Sequence, residues 1–391
     1  MKIRTIGGLT LLLLIASVAS AQIPCGPTIS PLPTLFVNWP QFHFDPSHGG
    51  CNPYETILGS NTVANLVLAW KYPTGNWVDS SPVVANGIVY FGSDDHALYA
   101  VRARTGDLVW KYTASNSVDS PAVINGVVYF GSADRNFYAL NATTGALIWK
   151  YTVTGGASGF SAPTVLSGVV YVGSSDSNVY ALNANTGALL WKYTTGDSVT
   201  SSPAVANGAV FVGSSDGTLY ALNAATGALQ WKYTTAGLIV SSPAVANGKV
   251  YVASFDFNLY AFDAATGAVV WQAPSQAQGS SPAIANGVLY IGDGSGSDVQ
   301  ALDAATGGLR WIYQTGNVNY AAPGVANGVV YIQSSDRYLY ALDASTGAFL
   351  WKYLIGTQMH VSADSSPVVA NGMVFVGSND GSLYAFHLPG Q

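Results

Sequence analysis

The sequence predicts an all-β fold, an eight-bladed β-propeller of four-stranded antiparallel blades. Two observations lead to this fold class: the stretch at residues 221–231 returns along most of the chain, and each return carries four short strand candidates. The tryptophans that close successive copies are 40, 39, 42, 40, 40, 40 and 40 residues apart: Trp70, Trp110, Trp149, Trp191, Trp231, Trp271, Trp311 and Trp351. A period of about 40 residues is typical of propeller blades.

The composition agrees with one large domain of buried strands. Charged residues make up 9% of the 391 residues, against roughly a quarter in ordinary soluble proteins. The formal net charge is -6 and no cluster of lysine and arginine is present. This distribution argues against a nucleic-acid-binding surface.

The first 21 residues have the pattern of a secretory signal peptide. Lys2 and Arg4 precede an apolar run at 9–15, and small residues at 19–21 place the cleavage site before Gln22. We therefore expect an exported protein, periplasmic or extracellular. No other apolar run approaches the roughly 20 residues that a membrane-spanning helix needs, and the residues before Cys25 do not form a lipid-attachment pattern.

Residues 22–65 form an irregular leader ahead of the propeller at 66–391. The leader is rich in proline, glycine and asparagine, and we expect it to run over the surface of the domain. The aromatic residues at 38–42 carry enough apolar area to dock. Cys25 and Cys51 are the two cysteines, and they either form one disulfide in an oxidising compartment or stay as two unpaired thiols.

The copy after Trp191 presents the strands of a blade most clearly. They are expected at 202–206, 209–212, 219–222 and 228–233. Asn207-Gly208, Asp216-Gly217 and Thr226-Gly227 lie between them, and Asn-Gly is a strong hairpin signal because both turn positions need positive φ. The second strand is apolar on both faces, which indicates that neighbouring blades cover it on both sides.

The count of strands predicts how the ring closes. Eight first strands are marked by prolines, but the last copy stops without a tryptophan strand, while residues 66–72 form a tryptophan strand that lacks the other three. The N-terminal strand is therefore expected to complete the C-terminal blade, which removes the open sheet edges.

These repeats resemble the tryptophan-docking motif of quinoprotein propellers, over residues 66–388. The resemblance implies either a dehydrogenase that holds pyrroloquinoline quinone and calcium, or a non-enzymatic propeller such as the outer-membrane assembly factor BamB. Quinoprotein alcohol dehydrogenases use an adjacent cysteine pair, a glutamate and an asparagine on calcium, and an aspartate base. Here Cys25 and Cys51 are not adjacent, and Glu55, the one glutamate, lies outside the repeats.

The recurring tryptophans are interpreted as blade-docking residues rather than a quinone-stacking array, because a cofactor needs one such residue and not eight. The asparagine or aspartate that recurs in the motif is expected to cap backbone N–H groups in its turn.

Candidate binding residues lie on the rim that carries the inter-blade loops, because these loops vary in length. The position three before each proline starts an innermost strand: Asp79, Val118, Phe160, Thr200, Val240, Gly279, Tyr320 and Asp364. Asp79, Asp364 and the nearby Asp119 form a candidate metal or basic-group site, with His360 close to it. Trp77, Phe160 and Tyr320, with Phe255 and Phe257, form an aromatic alternative for a peptide or glycan, or simply pack on their own blades.

The sequence therefore predicts a monomeric, non-catalytic binding or scaffold protein with no resident cofactor and with a protein, peptide or glycan partner in the envelope. The alternatives are a dehydrogenase for alcohols or sugars that depends on pyrroloquinoline quinone and calcium, and an assembly factor similar to BamB.

Overall fold

The computed structural model describes residues 38–153, 159–356 and 365–390, which form the eight-bladed ring that the repeats predict. Blade 1 consists of Val83–Ala85, Ile88–Ser93, Ala97–Arg102 and Leu108–Thr113, and blade 2 of Ala122–Ile124, Val127–Ser132, Asn136–Asn141 and Leu147–Thr152. Blade 3 consists of Thr164–Leu166, Val169–Ser174, Asn178–Asn183 and Leu189–Thr194, and blade 4 of Ala204–Ala206, Ala209–Gly213, Thr218–Asn223 and Leu229–Thr234. Blade 5 consists of Ala244–Ala246, Lys249–Ser254, Asn258–Asp263 and Val269–Pro274. Blade 6 consists of Ala283–Ala285, Val288–Gly292, Asp298–Asp303 and Leu309–Gln314. Blade 7 consists of Gly324–Ala326, Val329–Gln333, Tyr338–Asp343 and Phe349–Leu354.

Blade 8 closes the ring with strands from both ends of the chain, as predicted. Its inner three strands are Val368–Ala370, Met373–Ser378 and Ser382–His387, and its outer strand is Val67–Pro73. The outer strand pairs antiparallel with Ser382–His387, from Val67 opposite His387 to Pro73 opposite Ser382. In the described part of the chain, the only helical element is one short 3-10 turn, Val63–Asn65, which leads into this strand.

The tight turns explain why each blade is a meander. Asn207 and Gly208 have φ values of 51° and 77°, so both positions of this hairpin are left-handed, as expected. The next turn is built differently from the prediction, since only Gly217 has a positive φ there. Asp216 instead uses its side chain, which accepts the Thr218 N–H at 2.8 Å and the Tyr220 hydroxyl at 2.6 Å.

The core lies between blades. At the interface of blades 3 and 4, Tyr171 and Val179 pack with Val210 and Val212 in one buried cluster, and Val210 and Val212 are fully buried. Equivalent clusters join the other blades, so the apolar second and third strands are covered from both sides.

The repeated tryptophans lie at these joints and contact the following blade. Each indole N–H donates to a backbone carbonyl there at 2.9–3.1 Å: Trp70 to Ala103, Trp110 to Ala142, Trp149 to Ala184, Trp191 to Ala224, Trp231 to Ala264, Trp271 to Ala304, Trp311 to Ala344 and Trp351 to Leu66. The indole ring also covers the glycine of the next Thr-Gly turn; a Cβ on Gly227 would stand 2.7 Å from the Trp191 ring.

The prediction that the leader runs over the surface is wrong for residues 38–52, which we name the channel segment. This segment circles the propeller axis and contacts the first strand of each blade in chain order. Seven first-strand amides donate to it at 2.6–3.1 Å: Val84 to Trp39, Val123 to Pro40, Val165 to the Gln41 side chain, Val205 to Pro46, Val245 to Ser47, Ile284 to Gly49 and Val325 to Gly50. In blade 8 the Asn52 side chain donates to the Val369 carbonyl at 2.7 Å.

The physical reason is that first strands expose an unpaired edge to the channel, and an unpaired edge needs partners for its N–H and C=O groups. The channel segment provides them, and Cys51–Asn52 even pairs with blade 7 as a short parallel strand. Trp39 is 2% exposed and packs edge-on against Phe44, so the aromatic stretch docks as predicted, although inside the ring.

Candidate functional site

The channel is open on the rim of the inter-blade loops, where it forms a cavity of about 600 Å³. We name this cavity the channel mouth. Phe42 of the channel segment lies among its lining residues. All seven described residues at the position three before the proline also line it: Asp79, Val118, Phe160, Thr200, Val240, Gly279 and Tyr320.

A ring of serines lines the channel mouth. These serines directly precede the blade prolines, and each hydroxyl oxygen accepts the backbone N–H of the blade before it. The six bonds are 2.8–3.1 Å long: Ser81 N–H to Ser120, Ala162 to Ser202, Ser202 to Ser242, Ser242 to Ser281, Ala322 to Ser366 and Ser366 to Ser81. Blades 3 and 7, on opposite sides of the ring, carry Ala162 and Ala322 at this position instead.

Three carboxylates, Asp79, Asp94 and Asp119, lie on one side of the channel mouth. Burial raises the pKa of Asp119 to about 7, and the negative charge of Asp94 acts in the same direction. A hydrogen bond from the Phe160 N–H at 3.2 Å opposes this shift. Burial also raises the pKa of Asp94. No lysine, arginine or histidine is among the described lining residues, so the mouth disfavours anions.

Aromatic side chains complete the lining. Phe160, Phe255 and Tyr320 come from blades 3, 5 and 7, and Phe160 is 8% exposed and packs edge-on against Phe137. Trp77 and Phe257 are not among the lining residues; Phe257 is 55% exposed. The structure therefore brings together part of the predicted aromatic set with part of the predicted acidic set.

Some predicted residues lie outside the described part of the chain: the signal peptide, Cys25, His360 and Asp364. The Cys25–Cys51 disulfide and the metal site of Asp79, Asp119 and Asp364 therefore stay predictions. Among residues 38–153, 159–356 and 365–390, no group of three or more histidine, cysteine, aspartate or glutamate side chains is arranged to hold a metal ion.

Three features of the site were missed from the sequence. The sequence signal of the serine ring is the recurring Ser-Pro pair, which places one hydroxyl at the start of six of the first strands. Asp94 follows a second strand, at a repeat position where other blades carry Ala133, Ser175 or Phe255. Phe42 could not be placed because the leader has no period.

Two buried histidines lie in the channel segment beneath the mouth. His48 is fully buried and bridges two blades, with Nδ1 3.1 Å from the Pro243 carbonyl oxygen and Nε2 2.9 Å from the Thr164 hydroxyl. Because a carbonyl only accepts, Nδ1 carries the proton. His43 stacks on Phe42 with ring centroids 4.3 Å apart. Burial lowers the pKa of His43 to about 4 and that of His48 to about 3, so both are neutral at pH 7.

Comparisons with known proteins agree with this architecture. A curated relative, the quinohemoprotein alcohol dehydrogenase of Comamonas testosteroni, is 31% identical over 77 residues, which cover 19% of this chain and 11% of that enzyme. The chain thus matches only about a tenth of that relative's length. In the described residues no helix is long and apolar enough to cross a membrane.

Solved structures share the fold at low sequence identity. BamB from Moraxella catarrhalis superposes with a TM-score of 0.67 at 20% identity, covering 83% of this chain and 98% of that one. The quinohemoprotein alcohol dehydrogenase from Comamonas testosteroni superposes with a TM-score of 0.77 at 17% identity, covering 91% and 81%.

The family model described as "Outer membrane protein assembly factor BamB" matches residues 67–202, 175–313 and 256–390. These three overlapping matches span nearly the whole ring, including both strands that close it. The chain therefore belongs to the BamB family of propellers with repeats of the pyrroloquinoline-quinone type.

Proposed function

We propose that this protein is an exported, non-catalytic binding module that takes its ligand or partner at the channel mouth. The carrying observation is the asymmetry of the ring: one end of the channel is filled by the chain's own residues 38–52, and the other forms a lined cavity of about 600 Å³. Sites for small molecules have volumes in this range and combine apolar walls with a few polar groups.

The choice of rim rests on loop variation. The opposite rim repeats Asn-Gly turns, replaced by Ser167-Gly168 in blade 3, and Thr-Gly turns in blades 1 to 7, with nearly the same backbone in each copy. The rim of the channel mouth carries inter-blade loops of different lengths and residues. Binding residues are commonly found on such variable loops over a rigid scaffold.

The dehydrogenase alternative fits these residues poorly. Pyrroloquinoline quinone carries three carboxylates, which would face Asp79, Asp94 and Asp119 with no cationic side chain among the described lining residues. No cysteine is among the lining residues that the structure describes either. Reconstitution with pyrroloquinoline quinone and calcium tests this alternative, and quinone-dependent dye reduction would contradict a non-catalytic role.

The assembly-factor alternative is supported by the family match, because that family is described as the outer membrane protein assembly factor BamB. The structure of BamB from Moraxella catarrhalis has the same fold. This alternative differs from our proposal in the kind of partner. It predicts that the protein captures an outer-membrane protein complex.

A crosslinking pull-down from the native envelope tests the proposal. Thr200 is exposed and lines the mouth, so Thr200→Trp should block it without disturbing the core. We expect this variant to lose the partner captured by the wild type. The matched control is Ala225→Trp, at an exposed turn on the opposite rim, which should keep it. A partner retained equally by both variants would overturn the assignment to the mouth.

The metal hypothesis has its own test. Calcium titration of the wild type and of Asp79→Asn/Asp364→Asn should give weaker binding in the double variant, because carboxylates are the preferred calcium ligands. Equal binding in both proteins, or none in either, would contradict it.

A further inference from the structure

We propose that the channel mouth binds a neutral carbohydrate residue, the end of a glycan or a free sugar. This inference rests on the proposed function, because it names the class of ligand for the same cavity. The argument uses three sets of lining groups: hydroxyl donors, carboxylate acceptors and aromatic faces.

The serine ring supplies the donors. Five of its six serines are at least nine-tenths buried: Ser81, Ser202, Ser242, Ser281 and Ser366. Because each oxygen already accepts a backbone N–H, the hydroxyl proton is left to donate. The hydrogen bonds within the described residues give none of these protons an acceptor, so a ring of O–H donors lines the cavity.

The carboxylates supply the acceptors. Asp79, Asp94 and Asp119 are half-buried on one side of the mouth, and an ionised carboxylate accepts hydrogen bonds only. A sugar hydroxyl both donates and accepts, so one sugar ring can bond to the carboxylates and to the serines together. An anionic ligand is disfavoured, because the ionised carboxylates are negative and no cationic side chain is among the described lining residues.

The aromatic residues supply an apolar surface for the C–H face of a sugar. Phe42 lies beneath the serine ring as part of the channel segment, while Phe160 and Tyr320 line opposite sides of the ring. Aromatic rings combine a large contact area with low conformational freedom. The C–H face of a pyranose ring can therefore pack on one of these aromatic rings while its hydroxyls reach the polar groups.

A primary amine is the competing ligand, because an ammonium group would satisfy the carboxylates. It has donors and no acceptors, so it would leave the serine protons unpaired in a buried ring, which costs free energy. The serine ring thus favours the sugar.

The experiment measures binding by calorimetry with glucose, galactose, N-acetylglucosamine and maltose, with glucuronate as the anionic probe and spermidine as the amine. We expect saturable binding of at least one neutral sugar, and at least tenfold weaker binding of glucuronate. Ser202→Ala/Ser242→Ala should weaken the sugar about tenfold through the loss of two hydrogen bonds. This variant should fold, since Ala162 and Ala322 occupy the same position naturally.

The matched control is Ser345→Ala, an exposed turn serine on the opposite rim, which should bind like the wild type. Binding of spermidine alone, lost in Thr200→Trp, would overturn the carbohydrate assignment and leave the binding site standing. No binding of any probe, together with a Thr200→Trp variant that keeps its envelope partner, would overturn both proposals. Sugar binding that Ser202→Ala/Ser242→Ala leaves unchanged would overturn the role of the serine ring.

Discussion

At the residue scale, the glycine of the Thr-Gly turn explains why the repeat is so uniform. Gly227 has a φ of 71°, and the Trp191 ring covers the space where a side chain would begin. Two separate constraints therefore act on one residue, the left-handed backbone and the contact with the neighbouring blade. Asn223, four residues earlier, adds a third constraint on this turn, because its side-chain oxygen accepts the N–H groups of Ala225 and Thr226 at 3.0 Å each.

Substitution of two glycines separates these constraints. Gly208 also has a positive φ, of 77°, but nothing lies within 4 Å of where its Cβ would stand. We expect Gly208→Ala to lower the free energy of unfolding by about 1 kcal/mol through backbone strain. Gly227→Ala should cost about 1–3 kcal/mol more, because the Trp191 ring must shift. Urea denaturation measures both, and equal losses would contradict the docking role of the tryptophan.

The buried histidines predict how stability depends on pH. The pKa of His43 falls from about 6.5 in the unfolded chain to about 4 in the folded protein, so its contribution is complete above pH 6.5. As the pH falls from 6.5 towards 4, the unfolded chain binds a proton that the folded protein does not, and stability decreases. The contribution of His43 to the free energy of unfolding at neutral pH is on the order of 3 kcal/mol, at about 1.36 kcal/mol per pKa unit.

His43→Phe tests this share, since the ring stacks on Phe42 and neither of its nitrogens has a hydrogen-bond partner in the described residues. We expect the variant to lose less stability than the wild type between pH 7 and pH 5. In both proteins the lowered pKa of His48 still decreases the stability of the fold as the pH falls. Burial raises the pKa of Asp45, so this carboxyl group changes stability in the opposite direction. Identical losses in variant and wild type, measured by urea denaturation, would show that His43 does not titrate as described.

At the scale of elements, the blades were predictable and the channel segment was not. In blade 4 the predicted strands agree with the observed ones to within two residues, because alternating turns and apolar runs act locally. The channel segment instead bonds through its backbone to residues far away in sequence, such as Pro46 with Val205. Backbone carbonyls are the same in every residue, so no side-chain pattern announces such contacts.

Hydrogen exchange tests the channel segment as one element. Gly50 has a φ of 67°, and a Cβ there would stand 2.6 Å from that of Ala283. We expect Gly50→Ala to loosen the segment and to raise the exchange rates of the Ile284 and Val325 amides, which donate to it. The Val89 amide, inside a blade, serves as the internal control. Unchanged exchange at Ile284 and Val325 would contradict the role of the segment as their hydrogen-bond partner.

At the scale of the whole molecule, the ring depends on one non-covalent seam. The outer strand of blade 8 reaches its partner from the other end of the chain, and Lys71 bonds Asp380 across the seam at 2.8 Å. The Lys71 side chain is 40% exposed while that of Asp380 is 4% exposed, and an ion pair open to solvent on one side contributes on the order of 1 kcal/mol. Strand pairing and the Trp351 contact with Leu66 therefore hold the seam.

An engineered disulfide across the seam should stabilise the protein more than the same disulfide within a blade. Pro73→Cys/Ser382→Cys and Ala97→Cys/Thr113→Cys occupy equivalent register positions in blades 8 and 1. The first closes a loop of roughly 300 residues and the second a loop of about 16, so the chain-entropy model predicts a difference of about 2–3 kcal/mol. Thermal unfolding with and without reductant measures it, and an equal gain in both would contradict the prediction.

The same scale explains how much of the site the sequence could reveal. The geometry of a single blade predicted that the position three before each proline lies at the mouth, and the seven described residues at this position, Phe160 and Tyr320 among them, do line it. The chemistry of the mouth depends on the closed ring, because the serine hydrogen bonds join neighbouring blades and Phe42 arrives from the leader. Contacts of this kind exist only after the whole molecule has closed.

The channel segment also solves a problem of counting. Repeats this similar could pair with the wrong neighbour or close with one blade too few, since each joint would look nearly the same. The channel segment contacts each blade once, in chain order from Trp39 to Asn52, so each repeat has its own partner residue in this segment. If a blade were gained or lost by duplication or deletion, the channel segment would be too short or too long to contact every first strand. Its length therefore specifies a ring of eight blades, which the similar repeats alone do not specify.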